Sequence, residues 1–156
     1  MKKRIIIVLL IIVLGLLSYY KFAPMYAENS IYKSWRKNWG IDLPSTTTHT
    51  VFENTGSAAY RVSTYSKEEI ERISKLPYWR NTEKNYISTI VSQYVELVKK
   101  LRGPNEEAAY VAMFNNDPVH YYDSSLLFEK RKNDGGYFIA ILNPNDQRLY
   151  TLEVYF

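Results

Sequence analysis

The chain begins with KKRIIIVLLIIVLGLLSYYK, Lys2 to Lys21, and this stretch limits its fate more than any other. Lys2, Lys3 and Arg4 precede thirteen uncharged residues, Ile5 to Leu17, a pattern shared by export signals and membrane anchors. A cleavable signal also needs small residues at the first and third positions before the cut. Cutting after Ala27, Ala23 or Ser18 puts Met25, Lys21 or Leu16 at that third position, so the sequence favours an uncleaved signal-anchor. The run is short for that role: Ile5 to Tyr20 makes about 24 Å of helix against a hydrocarbon core of about 30 Å. Arg4 and Lys21 snorkelling outward, with Tyr19 and Tyr20 at the interface, would ease the mismatch. The basic N-terminus then predicts a single-pass protein of the cell membrane, N-terminus cytoplasmic and the rest outside.

Charge speaks against nucleic acid as a partner. The chain carries 20 basic and 16 acidic residues, but four of the basic ones lie in the leader, which leaves 16 against 16 in residues 22–156. A phosphate-backbone binder needs a net basic stripe. The basic runs Lys33, Arg36, Lys37 and Lys130, Arg131, Lys132 read as a solvated helix face and a charged turn. The absence of Asn-x-Ser/Thr acceptors fits an unglycosylated bacterial surface.

Three segments follow from the patterning: an anchor at 1–21, a juxtamembrane helix and linker at 22–44, and an α+β domain at 45–156. In the second, Ile31, Tyr32, Trp35 and Trp39 recur at helical spacing before Gly40. Trp35 and Trp39 would lie on lipid headgroups or pack onto the domain. In the third, strands near His49 to Glu53 and Ala58 to Tyr65 flank the turn ENTG. Tyr60, Val62 and Thr64 alternate with Arg61 and Ser63, which predicts one wet face. Ser66 with Glu69 three residues on is a capping box, opening a helix with Ile70, Ile73 and Leu76 buried. Ile87, Ile90, Val91, Tyr94, Val98 and Leu101 mark a long helix that stops at Gly103-Pro104. AAYVAMF, SSLLFEKRK, GGYFIAILN and RLYTLEVYF then read as an antiparallel meander. The expected fold is a sheet of about six strands with two main helices on one face.

Chemistry is sparse. With no cysteine, thiol catalysis is excluded. Only His49 and His120 are available as imidazole bases, and no cofactor motif occurs. Asp117, His120 and Asp123 share a short window, yet turn and strand geometry would point them apart. The strongest residual signal is aromatic: 15 Tyr, 3 Trp and 6 Phe. Tyr110, Tyr121, Tyr122, Tyr137 and Tyr155 are the candidate binding surface, if they share the sheet's second face.

In outline, from its MKKR leader, apolar span and order of hairpin, two helices and meander, the chain resembles small single-pass surface-displayed proteins of Gram-positive bacteria. The resemblance implies a role in the class of immunity or exclusion factors. The resulting expectation is a membrane-anchored, extracytoplasmic binding protein without catalysis, whose partner is another envelope or secreted protein. The alternatives are a cell-envelope glycan or lipid binder using exposed Tyr and Trp, and a hydrolase using Asp117, Asp123 or Glu83.

Overall fold

The computed structural model describes residues 12–15, 30–54, 57–102 and 107–156. The chain divides into two compact units, Met1–Ser45 and Thr46–Phe156.

In the first unit, residues 30–39 form helix α1. Gly40 closes it with φ 73°, a left-handed conformation suited to glycine, and donates its N–H to the Arg36 carbonyl at 3.1 Å. Tyr32 meets Trp35 edge-on at 4.7 Å, and Trp35 and Trp39 are only 1% and 0% exposed.

The expected membrane anchor is overturned. Among the described residues no helix is long and apolar enough to cross a membrane. Within 1–21 only residues 12–15 are described, as helix; Arg4, Tyr19, Tyr20 and Lys21 lie outside the described residues. Of the apolar run only residues 12–15 are described, and four helical residues reach about 6 Å where a bilayer core needs about 30 Å. The transmembrane element of the fold, the membrane class, the single-pass topology and the address outside the cell membrane all rested on that anchor and fall with it.

The second unit is α+β. Its strands are β1 (Thr48–Asn54), β2 (Ala58–Thr64), β3 (Arg80–Asn81), β4 (Leu126–Arg131), β5 (Tyr137–Asn143) and β6 (Arg148–Val154), with helices α2 (Lys67–Ile73), α3 (Lys84–Arg102) and α4 (Glu107–Asn116) between them. They form one antiparallel sheet in the order β1-β2-β6-β5-β4-β3. The C-terminal strand β6 is therefore central, paired along its whole length to β2 and β5.

Alternation along these strands builds the core. Tyr60 and Val62 of β2, Tyr150, Leu152 and Val154 of β6, and Ile139 and Ile141 of β5 face Ile87, Ile90, Tyr94 and Val98 of α3 and Tyr110 and Phe114 of α4. Phe52 sits among the rings of Tyr60, Tyr94, Tyr110 and Phe114, with centroids 5.4–6.4 Å away. Tyr94, buried under α3, donates its hydroxyl to the Ala59 carbonyl at 2.6 Å, which secures the polar end of a ring deep in the core.

Two expectations about this sheet change. The segment AAYVAMF is helix α4, not a strand. Its alternating Tyr110, Ala112 and Phe114 imitate a strand, but Ala112 is exposed, and Tyr110 and Phe114 are i and i+4 on one helical face. Ala108, Ala109 and Ala112 supply the helix propensity. The helices on the core face are consequently α3 and α4. Helix α2 begins with the expected capping box, Ser66 Oγ accepting from Glu69 N–H at 3.2 Å and Glu69 Oε2 accepting from Ser66 N–H at 3.0 Å. Its buried Ile70 and Ile73 stand outside the core cluster. The Trp79 indole N–H caps its far end on the Ile73 carbonyl.

The second face is not wet. Ala59, Arg61 and Ser63 of β2, Leu149, Thr151 and Glu153 of β6, and Phe138, Ala140 and Leu142 of β5 are all buried. The charge of the buried guanidinium is matched: Arg61 Nη1 meets Glu153 Oε1 at 2.5 Å, and Arg61 Nη2 reaches Glu53 Oε1 at 2.6 Å. Polar residues on alternate positions of a strand imply solvent only when they lack such partners.

Candidate functional site

The residues marked by sequence as chemically able are dispersed. His49 of β1 faces Asp117 at 3.9 Å, just past α4, and both side chains are well exposed. His120 Nδ1 lies 3.5 Å from Asp146 Oδ2 in the β5–β6 turn, with its ring stacked on Tyr150 at 6.4 Å. Buried Asn143 ties this loop to the turn, donating to the His120 carbonyl at 3.1 Å and to Asp146 Oδ2 at 2.9 Å. Asp123 joins neither pair. Among the described residues no three metal-ligating side chains converge. Asp123 lines an open hollow of about 660 Å³ instead, together with Glu83 and residues at the start of α3.

Nor do the five tyrosines share a face. Tyr110 is in the core on α4, Tyr137 packs against the core from β5, and Tyr121 is half-buried against it. Tyr122 is exposed in the loop before β4, and Tyr155 donates its hydroxyl to Glu153 on the opposite side of the sheet. Among the described residues the exposed aromatics Tyr86, Tyr122 and Phe156 stand apart, on α3, in the loop before β4 and after β6.

A different constellation lies on the flank of the sheet. The hairpin between β4 and β5 sets Arg131 opposite Tyr137 and Glu129 opposite Ile139. Helix α3 passes over them with Ile90, Gln93 and Leu97, and between helix and sheet opens a cleft of about 180 Å³. Its floor is apolar. Arg131 holds its guanidinium over the Tyr137 ring at 5.6 Å, a cation–π contact at the wall of the cleft. Burial pushes the Tyr137 hydroxyl up to about 12, despite the opposing pull of Arg131, so it remains a neutral donor.

Glu129 is fully engaged beside the cleft. Its Oε2 accepts from Arg80 at 2.7 Å and from the Tyr86 hydroxyl at 2.8 Å, and its Oε1 accepts from Arg131 Nε at 3.0 Å. Burial opposes ionisation here, but the hydrogen bonds from Tyr86 and Arg131 and the charges of Arg131 and Arg80 hold this carboxyl below the usual range.

The strand edge is open at the same place. Strand β3 pairs only Arg80 with Leu127 and Asn81 with Leu126. Along residues 128–131 no further strand lies on that side among the described residues.

Of this flank the sequence discloses one part: a turn-rich KNDGG between two strands puts residues 131 and 137 opposite each other. That α3 crosses just there, leaving a gap, depends on tertiary placement. Comparison with protein-family models, with curated proteins and with solved structures gives no match for this chain.

Proposed function

We propose that this chain is a non-catalytic protein-binding module that takes its partner on the flank formed by α3, β4 and β5. The observation that carries the reading is the cleft. An apolar recess open to solvent, walled by an arginine stacked on a tyrosine, combines the residue types that concentrate binding energy at interfaces. An immunity- or exclusion-like role is one form such binding takes.

A hydrolase reading has one observation in its favour, the shared hollow of Glu83 and Asp123. Both side chains are exposed there, and an open hollow does not exclude water or hold two carboxyl groups in different protonation states. Binding is therefore the better reading.

A photo-reactive amino acid at Gln93 of the full chain, activated in cells that produce it, tests the proposal. The expected result is a discrete protein adduct that disappears when Leu97→Arg obstructs the cleft, and no adduct from the same group placed at exposed Lys75. Capture that is absent at Gln93, or that persists unchanged in Leu97→Arg, overturns the reading.

A further inference from the structure

The open edge of β4 is more specific than a generic docking surface. Resting on the binding reading above, we infer that the partner enters as an extended segment with alternating apolar and acidic side chains, which adds to the sheet along residues 128–131. Backbone groups on one side of a terminal strand are available to such a segment, and side chains of neighbouring strands at paired positions share a face. Strand β4 thus presents two different environments. On the core face stand Glu129 and Arg131, next to the cleft floored by Ile90, Leu97 and Ile139. On the other face Lys130 is exposed, and it makes no ion pair among the described residues.

A segment laid beside β4 directs alternate side chains to these two environments. One set enters the cleft, whose volume of about 180 Å³ suits a single large apolar side chain. The other set lies beside Lys130. Lys130 and Arg131 end the strand, and Glu129 beside them has both oxygens committed to Arg80, Tyr86 and Arg131. Acidic side chains complement that edge. A second copy of this chain would bring the same basic run against it, and like charges on paired strands are destabilising. That selects a foreign acidic segment over self-pairing.

The test uses the full chain with 15N-labelled backbone and two short acetylated peptides, one alternating glutamate with leucine and one alternating lysine with leucine. The glutamate peptide is expected to shift the resonances of residues 128–131 and of Tyr137, with little change on β1. Lys130→Glu should weaken it about tenfold and strengthen the lysine peptide by a similar factor. Leu97→Arg should weaken both peptides, and urea melts of each variant confirm that it is folded. Equal binding of the two peptides to the unaltered chain overturns the acidic assignment and leaves the binding reading standing. Shifts confined to β1 or to the exposed face of α3 overturn strand addition at β4. If neither peptide binds but the adduct at Gln93 forms, strand addition fails alone; if neither occurs, both proposals fail.

Discussion

Removing Glu153 alone should cost far more than removing Glu153 and Arg61 together. Both side chains are buried, 1% and 5% exposed, on neighbouring central strands. Glu153→Leu leaves a buried guanidinium with one remaining carboxylate, Glu53, whose own side chain is 56% exposed. Breaking a buried pair costs about 3–5 kcal/mol, because a charge is left without compensation. The surviving contact with Glu53 sets the expectation at the lower end, about 3 kcal/mol. Replacing both partners, Arg61→Met with Glu153→Leu, removes the stranded charge and is expected to be neutral or stabilising by about 1–4 kcal/mol. The network's own geometry favours that outcome, since buried Arg61 Nε and Thr151 Oγ1 have no hydrogen-bond partner among the described residues. Urea denaturation of the full chain measures the cycle. With slopes of about 1–3 kcal/mol/M, the single variant should lower the midpoint by about 1–3 M and the double variant should recover it. A double variant as destabilised as the sum of the two singles would refute the reasoning, as would a loss below about 1 kcal/mol for Glu153→Leu.

Deleting residues 149–156 removes Tyr150, Leu152 and Val154, each no more than 1% exposed, from a central strand. At about 1.5–3 kcal/mol per side chain the loss is about 4–9 kcal/mol, against a total of about 5–15 kcal/mol for a typical domain, so the truncated chain should show no cooperative melt. Retention of the transition within a few degrees would show β6 to be dispensable. Glu129 gives a pH prediction. Its carboxyl is held low, so the stability it lends is present above the ordinary carboxylate range and is lost as pH falls through its folded-state value. Urea midpoints taken from neutral pH downward should fall more steeply for the unaltered chain than for Glu129→Gln; parallel curves would remove Glu129 from the account.

Local signals were legible where local physics decides. The Ser66–Glu69 box, the apolar stripe of α3 and the paired strands about KNDGG and NPNDQ need no information beyond a few neighbouring residues. Failures came where a distant partner decides. Tyr110, Ala112 and Phe114 satisfy a two-residue period and, at 110 and 114, a helical one, and the placement of Phe52 and Tyr94 around α4 joins the alanine propensity in favouring the helix. Arg61 looked solvent-facing because its partner Glu153 stands 92 residues away in sequence. The aromatic signal was real but was absorbed by the core, in Phe52, Tyr60, Tyr94, Tyr110 and Phe114. Of the five tyrosines assigned to a surface, Tyr137 alone lines the cleft.

The two ends of the sheet are not equivalent, and that asymmetry bears on which surface receives a partner. Strand β1 has a bulge between Thr50 and Phe52, where Val51 has no opposite residue on β2. A bulge bends the strand and breaks the even spacing that an incoming segment must match, so it protects an edge. Strand β4 keeps an unbroken register with β5 from Leu126 to Arg131, and β3 shields only its first two residues. Its remaining protection is charge, the Glu-Lys-Arg run at 129–131. The two devices differ in what they exclude. A bulge turns away any strand, whereas a basic edge turns away copies of itself and admits a strand of opposite charge. The apolar cleft lies beside the edge with the selective device, which is the arrangement expected if β4 is kept open for one kind of partner.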